Sequence, residues 1–120
     1  MIAIAAAFGA LAVILGAFGA HGLKNRLAPE MMAIYQTGVQ YHFYHTLALL
    51  ICAFLIQSGI DNVAMRISAF AFIAGIIIFS GSLYLLAITD TRWLGAVTPL
   101  GGLALITGWV SLAVGAMRSV

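Results

Sequence analysis

From residue 67 to residue 89 the chain reads ISAFAFIAGIIIFSGSLYLLAIT, without one charged side chain. A bilayer core of about 30 Å is crossed by roughly 20 apolar residues in a helix, so this stretch predicts a transmembrane helix. Arg66 precedes it and Asp90 follows it, so the charges bracket the run.

Working outward, the same rule cuts the rest of the chain. Residues 1–20 form an apolar run that ends before Lys24 and Arg26. Residues 29–58 lie between two connections, and residues 98–117 stop before Arg118. Every formal charge falls in a connection or near a helix end: Lys24, Arg26, Glu30, Asp61, Arg66, Asp90, Arg92 and Arg118. Hydrophobic residues make up 64% of the 120-residue chain, charged residues 7%, and the mean hydropathy is +1.16. Soluble domains carry roughly 25% charged residues, so the missing solvent is lipid. The net charge of +2 rests on five basic against three acidic residues in connections, which excludes a nucleic-acid surface. The single Cys52 permits no internal disulfide and reads as a small buried hydrophobe. Residues 1–20 lack the basic segment of a secretory signal, so a retained helix is expected there.

The expected architecture is therefore all-α. It is one integral membrane domain over residues 1–120, an up-down-up-down bundle of four transmembrane helices. Short connections make consecutive helices antiparallel, so both termini and the 59–66 loop share one side. The 21–30 and 89–93 loops take the other, here called the loop face. Orientation stays open: Lys24, Arg26 and Arg92 on the loop face balance Arg66, Arg118 and the N-terminal amine. Helix two is longer than a bilayer requires, about 45 Å at 1.5 Å per residue. Residues 29–37 are read as an interfacial extension opened by Pro29 and Glu30, with a bend at Gly38. Thr98-Pro99 predicts an N-cap and first helical position, preceded by a short lead-in over residues 93–97.

Helices in lipid associate through close packing of small residues. Ala5, Gly9, Ala12, Gly16 and Gly19 form one such stripe, and Gly101, Ala104, Gly108, Ser111 and Gly115 another. A weaker stripe contains Ser68, Ala71, Gly75 and Ser82. Packing within the chain is the favoured reading, and a homo-oligomer is the other.

Polar side chains concentrate in the loop-face half. His21 closes the first helix, and Gln36, Gln40, Tyr41, His42, Tyr44 and His45 open the second. Ser80, Ser82 and Tyr84 leave by the third, and Thr98 opens the fourth. The candidate polar pocket comprises His21, Gln40, His42, Tyr44, His45, Ser80, Ser82, Tyr84 and Thr98. Within it, His21 and His45 are expected to meet. His42 and His45 are three residues apart and share a helix face. Three histidines could ligate a metal, or two a haem, but no carboxylate or second cysteine joins them. Hydrogen bonding of imidazoles and hydroxyls across helices is the preferred reading, with no metal and no cofactor expected. No nucleophile motif, phosphate loop or paired acids occurs, and no acid is embedded in a span for proton-coupled transport.

The motifs so far resemble the YgdD/YwdK-like small membrane proteins, a family of unknown function related to eukaryotic transmembrane protein 256. The resemblance spans essentially the whole chain. It rests on GAFGAH at residues 16–21, Gln36-Thr37-Gly38, Tyr41, HTLA at residues 45–48 and FSGSLY at residues 79–84. In the fourth helix it adds Thr98-Pro99, Gly101-Gly102, Gly108-Trp109 and Gly115-Ala116. It implies a multi-pass protein of the bacterial inner membrane, with no assigned activity or catalytic residue. His21 and His45 fall at motif positions and His42 does not, which further weakens a three-histidine site. Members often have more basic tails, where this chain keeps only Arg118.

The function expected from all this is non-enzymatic: a structural or accessory, lipid-contacting subunit of a larger membrane assembly. The alternative is a binding or transport protein whose loop-face pocket receives a small amphipathic ligand such as a quinone or lipid.

Overall fold

The turn after helix two shows how the ends are made. Gly59 adopts φ +104°, its N–H bonds the Ile56 carbonyl, and the Ile60 N–H reaches back to Leu55. This paired closure satisfies carbonyls that the helix leaves open, and its left-handed residue favours glycine. The next helix starts at once, because the Asn62 side chain accepts the Met65 N–H as an N-cap. Helix three thus begins at Val63, a turn earlier than the cut at Arg66 predicted. Arg66 is held outside by two bonds to Asp61, of 2.6 and 2.7 Å. Those bonds hold the Asp61 carboxyl below its ordinary range.

The computed structural model describes residues 1–119. Four helices are long and apolar enough to cross a membrane: Ile2–Leu23, Pro29–Gln57, Val63–Thr89 and Arg92–Met117. We refer to them as the first to fourth helices; no strand occurs among the described residues. Two contain a π-helical turn, Gly19–Leu23 in the first and Ile76–Ser80 in the third. Asp90 ends the third helix in the left-handed region at φ 53°, a conformation that a short polar side chain tolerates. The fourth opens with a 3-10 turn, Arg92–Ala96, before Thr98–Met117.

One local expectation is corrected. Thr98 is inside the helix, and its hydroxyl bonds Ser82 at 2.6 Å, because a cross-helix partner is available where a cap was expected. The second helix runs as one α-helix through Gly38, from Pro29 to Gln57. Gly38 admits a neighbour: a Cβ there would lie 2.9 Å from the Tyr84 ring.

The bundle is flattened, with Cα extents of 50 × 26 × 15 Å. Each helix packs on the next in sequence, and the first and fourth share no packed interface among the described residues. Register follows from the contacts. Gly9 faces Thr46 and Gly19 faces Tyr35; Cys52 faces Met65 and Gly38 faces Ser80; Met65 faces Gly115 and Ser82 faces Thr98. One index rises as its partner falls, so neighbouring helices run antiparallel. The apolar core lies between the middle helices, around Leu49, Cys52, Met65, Ala69 and Phe72, all fully enclosed.

Candidate functional site

A face of helix two spaced by three and four residues carries the polar seam: Tyr35, Gly38, His42, His45, Leu49 and Cys52, all buried. At helical spacing these residues share one side, and that side meets the neighbouring helices.

Four cross-helix bonds define the seam's chemistry. The Ser80 hydroxyl donates to the Gly38 carbonyl at 2.7 Å, a carbonyl bared by the missing glycine side chain. His42 Nδ1 and the Tyr84 hydroxyl lie 2.9 Å apart. Ser82 and Thr98 share a hydrogen at 2.6 Å. Tyr35, 1% exposed, donates its phenol to the Leu15 carbonyl at 2.5 Å. In lipid a polar group has no water to fall back on, so each pairing both fixes register and removes a desolvation cost.

His45 is also buried, with Nδ1 donating to the Tyr41 carbonyl at 2.7 Å. Its ring stacks on Tyr41 and stands edge-on to Trp109 of the fourth helix. His42 faces elsewhere, with Phe8 of the first helix and Tyr84 of the third around it. The two imidazoles share the buried face of helix two and turn to different neighbours, His42 to the first and third helices and His45 to the fourth.

The expected meeting of His21 and His45 is corrected too. His21 is exposed in the terminal π-turn, level with the Tyr35 end of helix two. The Gly9–Thr46 contact places His45 several turns further along that helix. Depth counted from the loop ignores register, and the contacts of Gly19 with Tyr35, Gly16 with Val39 and Gly9 with Thr46 set His45 near the level of Gly9. Gln40 and Tyr44 are exposed and stand outside the buried cluster. Gln40 instead joins Gln36, Gly16 and Gly19 along a groove of about 370 Å³ between the first two helices.

Among the packing glycines, Gly75, Gly101, Gly108 and Gly115 are pressed against the facing helix between the third and fourth spans, and Gly19 against Tyr35. Gly9 and Gly16 sit on the first seam with room for a methyl group: an added Cβ would rest 3.6 Å from Thr46 and 3.4 Å from Val39. The reading of those two as close crossings is corrected, since side chains rather than backbone face them.

The reading from sequence missed Tyr35, a fully buried hydroxyl of the seam. It also missed the bond from Cys52 Sγ to the Met65 carbonyl at 3.2 Å and that from Asn62 to Gly115 at 3.0 Å. The signal for Tyr35 was present, because it sits seven residues before His42 on the same stripe. Among the described residues no group of three or more His, Cys, Asp or Glu side chains could hold a metal.

The family model for a protein of unknown function, DUF423, matches residues 15–102. The UPF0382 membrane protein YwdK of Bacillus subtilis is 48% identical over 110 residues, covering 90% of this chain and 88% of the relative. The UPF0382 inner membrane protein YgdD of Escherichia coli is 42% identical over 118 residues, 98% of this chain and 89% of the relative. A UPF0382 membrane protein of Haemophilus influenzae is 38% identical over 118 residues, with 98% and 94% covered. No solved structure matches the chain.

Proposed function

The chain belongs to the DUF423 family of membrane proteins of unknown function, and from that premise we propose that it is a non-enzymatic accessory subunit of a larger inner-membrane assembly. The observation that carries this reading is the flattened layout. The most apolar windows of the two middle helices are 39% and 44% buried, and those of the outer helices 17% and 22%. The outer helices therefore offer broad apolar faces to lipid or to partner helices, as a lipid-contacting subunit requires. The disposition of polar groups agrees. Ser68, Ser80, Ser82, Thr98, Tyr35 and Tyr84 are bound to neighbouring helices, so their chemistry holds the fold together.

Native mass spectrometry of protein gently extracted from its membrane tests the proposal. A defined partner chain in fixed stoichiometry is the expected result. A monomer under conditions that preserve known assemblies of the same membrane would overturn it. The second reading, a binding or transport protein, draws on the groove flanked by Gln36 and Gln40, whose exposed amides lie beside a floor of Gly16 and Gly19. A small molecule retained in place of a partner chain would favour it.

A further inference from the structure

His42 is 2% exposed, and its Nε2 is the one buried side-chain nitrogen or oxygen without a hydrogen-bond partner among the described residues. The Phe8 carbonyl lies on that side, outside hydrogen-bonding geometry. An unpaired buried donor or acceptor costs about 1–3 kcal/mol, so the position calls for a partner.

The tautomer follows from the neighbours. The Tyr84 hydroxyl makes its bond to His42 Nδ1, and the Ser80 hydrogen beside it is committed to Gly38. If the phenol donates to Nδ1, its hydrogen is used and Nε2 carries the proton. If Nδ1–H donates, the phenol hydrogen can turn to the Ser80 oxygen, and Nε2 is left with a lone pair beside the Phe8 carbonyl. Either way Nε2 alone is unsatisfied, but the second arrangement sets its lone pair against a carbonyl oxygen, so the first is preferred and Nε2–H is a donor waiting for an acceptor.

His42 is also a wall of a cavity of about 190 Å³ between the first and third helices. Tyr84 lines it as well, and the remaining walls are apolar, with Leu11 and Leu15 on one side and Ile76 and Ile77 on the other. Ile76 and Ile77 belong to the π-turn of the third helix, a local unwinding often found beside functional sites. The Phe8 ring lines the same cavity and stands edge-on to the imidazole with centroids 6.0 Å apart; Nε2 is itself enclosed, so a ligand in the cavity would reach it only with a turn of a lining side chain such as Phe8.

Depth selects the ligand. The lining residues Phe8 to Leu15 occupy the centre of Ile2–Leu23, so the cavity lies near the bilayer midplane. Phospholipid ester carbonyls border a core about 30 Å thick and lie roughly 15 Å away. A carbonyl oxygen reaching this depth belongs to a molecule whose polar atom travels within the hydrocarbon. We propose that the cavity binds the ring of a tailed quinone, with a ring carbonyl accepting from His42 Nε2 and Tyr84 fixing the imidazole from behind. The proposal concerns binding and is independent of the accessory role.

The test uses full-length protein in a maltoside detergent, with decylubiquinone as probe and thermal unfolding as readout. Gly81 lines the same cavity, and a Cβ added there meets nothing within 4 Å. Gly81→Leu therefore places a side chain in the space while leaving both members of the His42–Tyr84 pair in the chain. Decylubiquinone should raise the melting midpoint of the natural sequence in a saturable manner. Gly81→Leu should abolish that shift while its unliganded midpoint stays equal or rises, and His42→Phe should also abolish it. No shift in the natural sequence, or an equal shift in Gly81→Leu, would overturn the proposal. So would saturable stabilisation by dioleoylphosphatidylcholine that Gly81→Leu removes while the quinone has no effect, since a phospholipid would then be the occupant.

Discussion

The seam between the first two helices and the seam between the last two look alike in sequence, and they are built differently. Both carry small residues, glycines among them, at alternating spacings of three and four. In the second of them the glycines are obligatory. A Cβ on Gly101 would lie 2.3 Å from the Phe79 backbone nitrogen, and one on Gly108 2.6 Å from the Phe72 ring. That closeness lets Ser68 donate to the Gly108 carbonyl at 2.7 Å and Asn62 reach the Gly115 carbonyl. The first seam is tight at Gly19, beside Tyr35, and loose at Gly9 and Gly16. A small-residue stripe thus marks a contact face without saying whether backbone or side chain comes across. Backbone cannot move aside, whereas a side chain can rotate.

Both seams are taken to cross one bilayer, with the termini and the turn after helix two on the same side. In a Cys52→Ala background, single cysteines at Asn25 and Ser58 should label from opposite sides with a membrane-impermeant maleimide. The effect is all or none, and labelling from one side would undo the comparison at its base.

Within the folded protein, Gly101→Ala should have the largest consequence, because the clash is with the backbone. Overpacking of this kind costs about 3 kcal/mol, read as a clear fall in detergent unfolding midpoint. Gly9→Ala is its counterpart on the first seam and should change stability by less than about 0.5 kcal/mol, as substitutions without a clash usually do. Equal losses in the two variants would erase the distinction between the seams.

Hydrogen bonds sharpen it further. Ser68→Ala and Tyr35→Phe each remove one bond, to Gly108 and to Leu15, with little change in shape. Each should cost about 1 kcal/mol, since membrane hydrogen bonds contribute amounts of that order. Combining Ser68→Ala with Gly108→Ala should be non-additive, because both act on one contact; simple additivity would mean that the Ser68 bond is independent of the close approach.

The smallest effect lies outside the membrane. Arg66 lowers the Asp61 pKa from 3.8 by hydrogen bonding. A depressed carboxylate contributes stability above its unfolded pKa and loses it as pH falls through the lower folded value. The midpoint should therefore dip slightly below pH of about 4 and not in Asp61→Asn. Exposure of the pair keeps the effect small. A dip of the same size in Asp61→Asn would assign it to another group.

How much was legible follows from these cases. Four apolar runs between charges announced four membrane helices, and the polar residues of helix two announced a polar seam. Ser80, Ser82, Tyr84, Thr98, His42 and His45 do enter cross-helix or buried bonding. His21 failed because depth along a helix cannot be measured from a loop without knowing the register. Tyr35 was missed because tyrosine near a helix start reads equally well as an interfacial anchor. Its burial came from the first helix lying against it.

The sequence by itself determined the solvent, the number of spans and where each begins within a turn or so, because hydropathy and charge act locally and sum along the chain. It also determined which helix faces carry small and polar groups, because helical periodicity is fixed. Only the tertiary structure decided which glycines are indispensable, which way His42 and His45 turn, and that one imidazole nitrogen is left without a partner. Those outcomes depend on register and on distances of a few tenths of an ångström between segments far apart in the chain. No local propensity encodes such distances; the mutual fit of all four helices sets them.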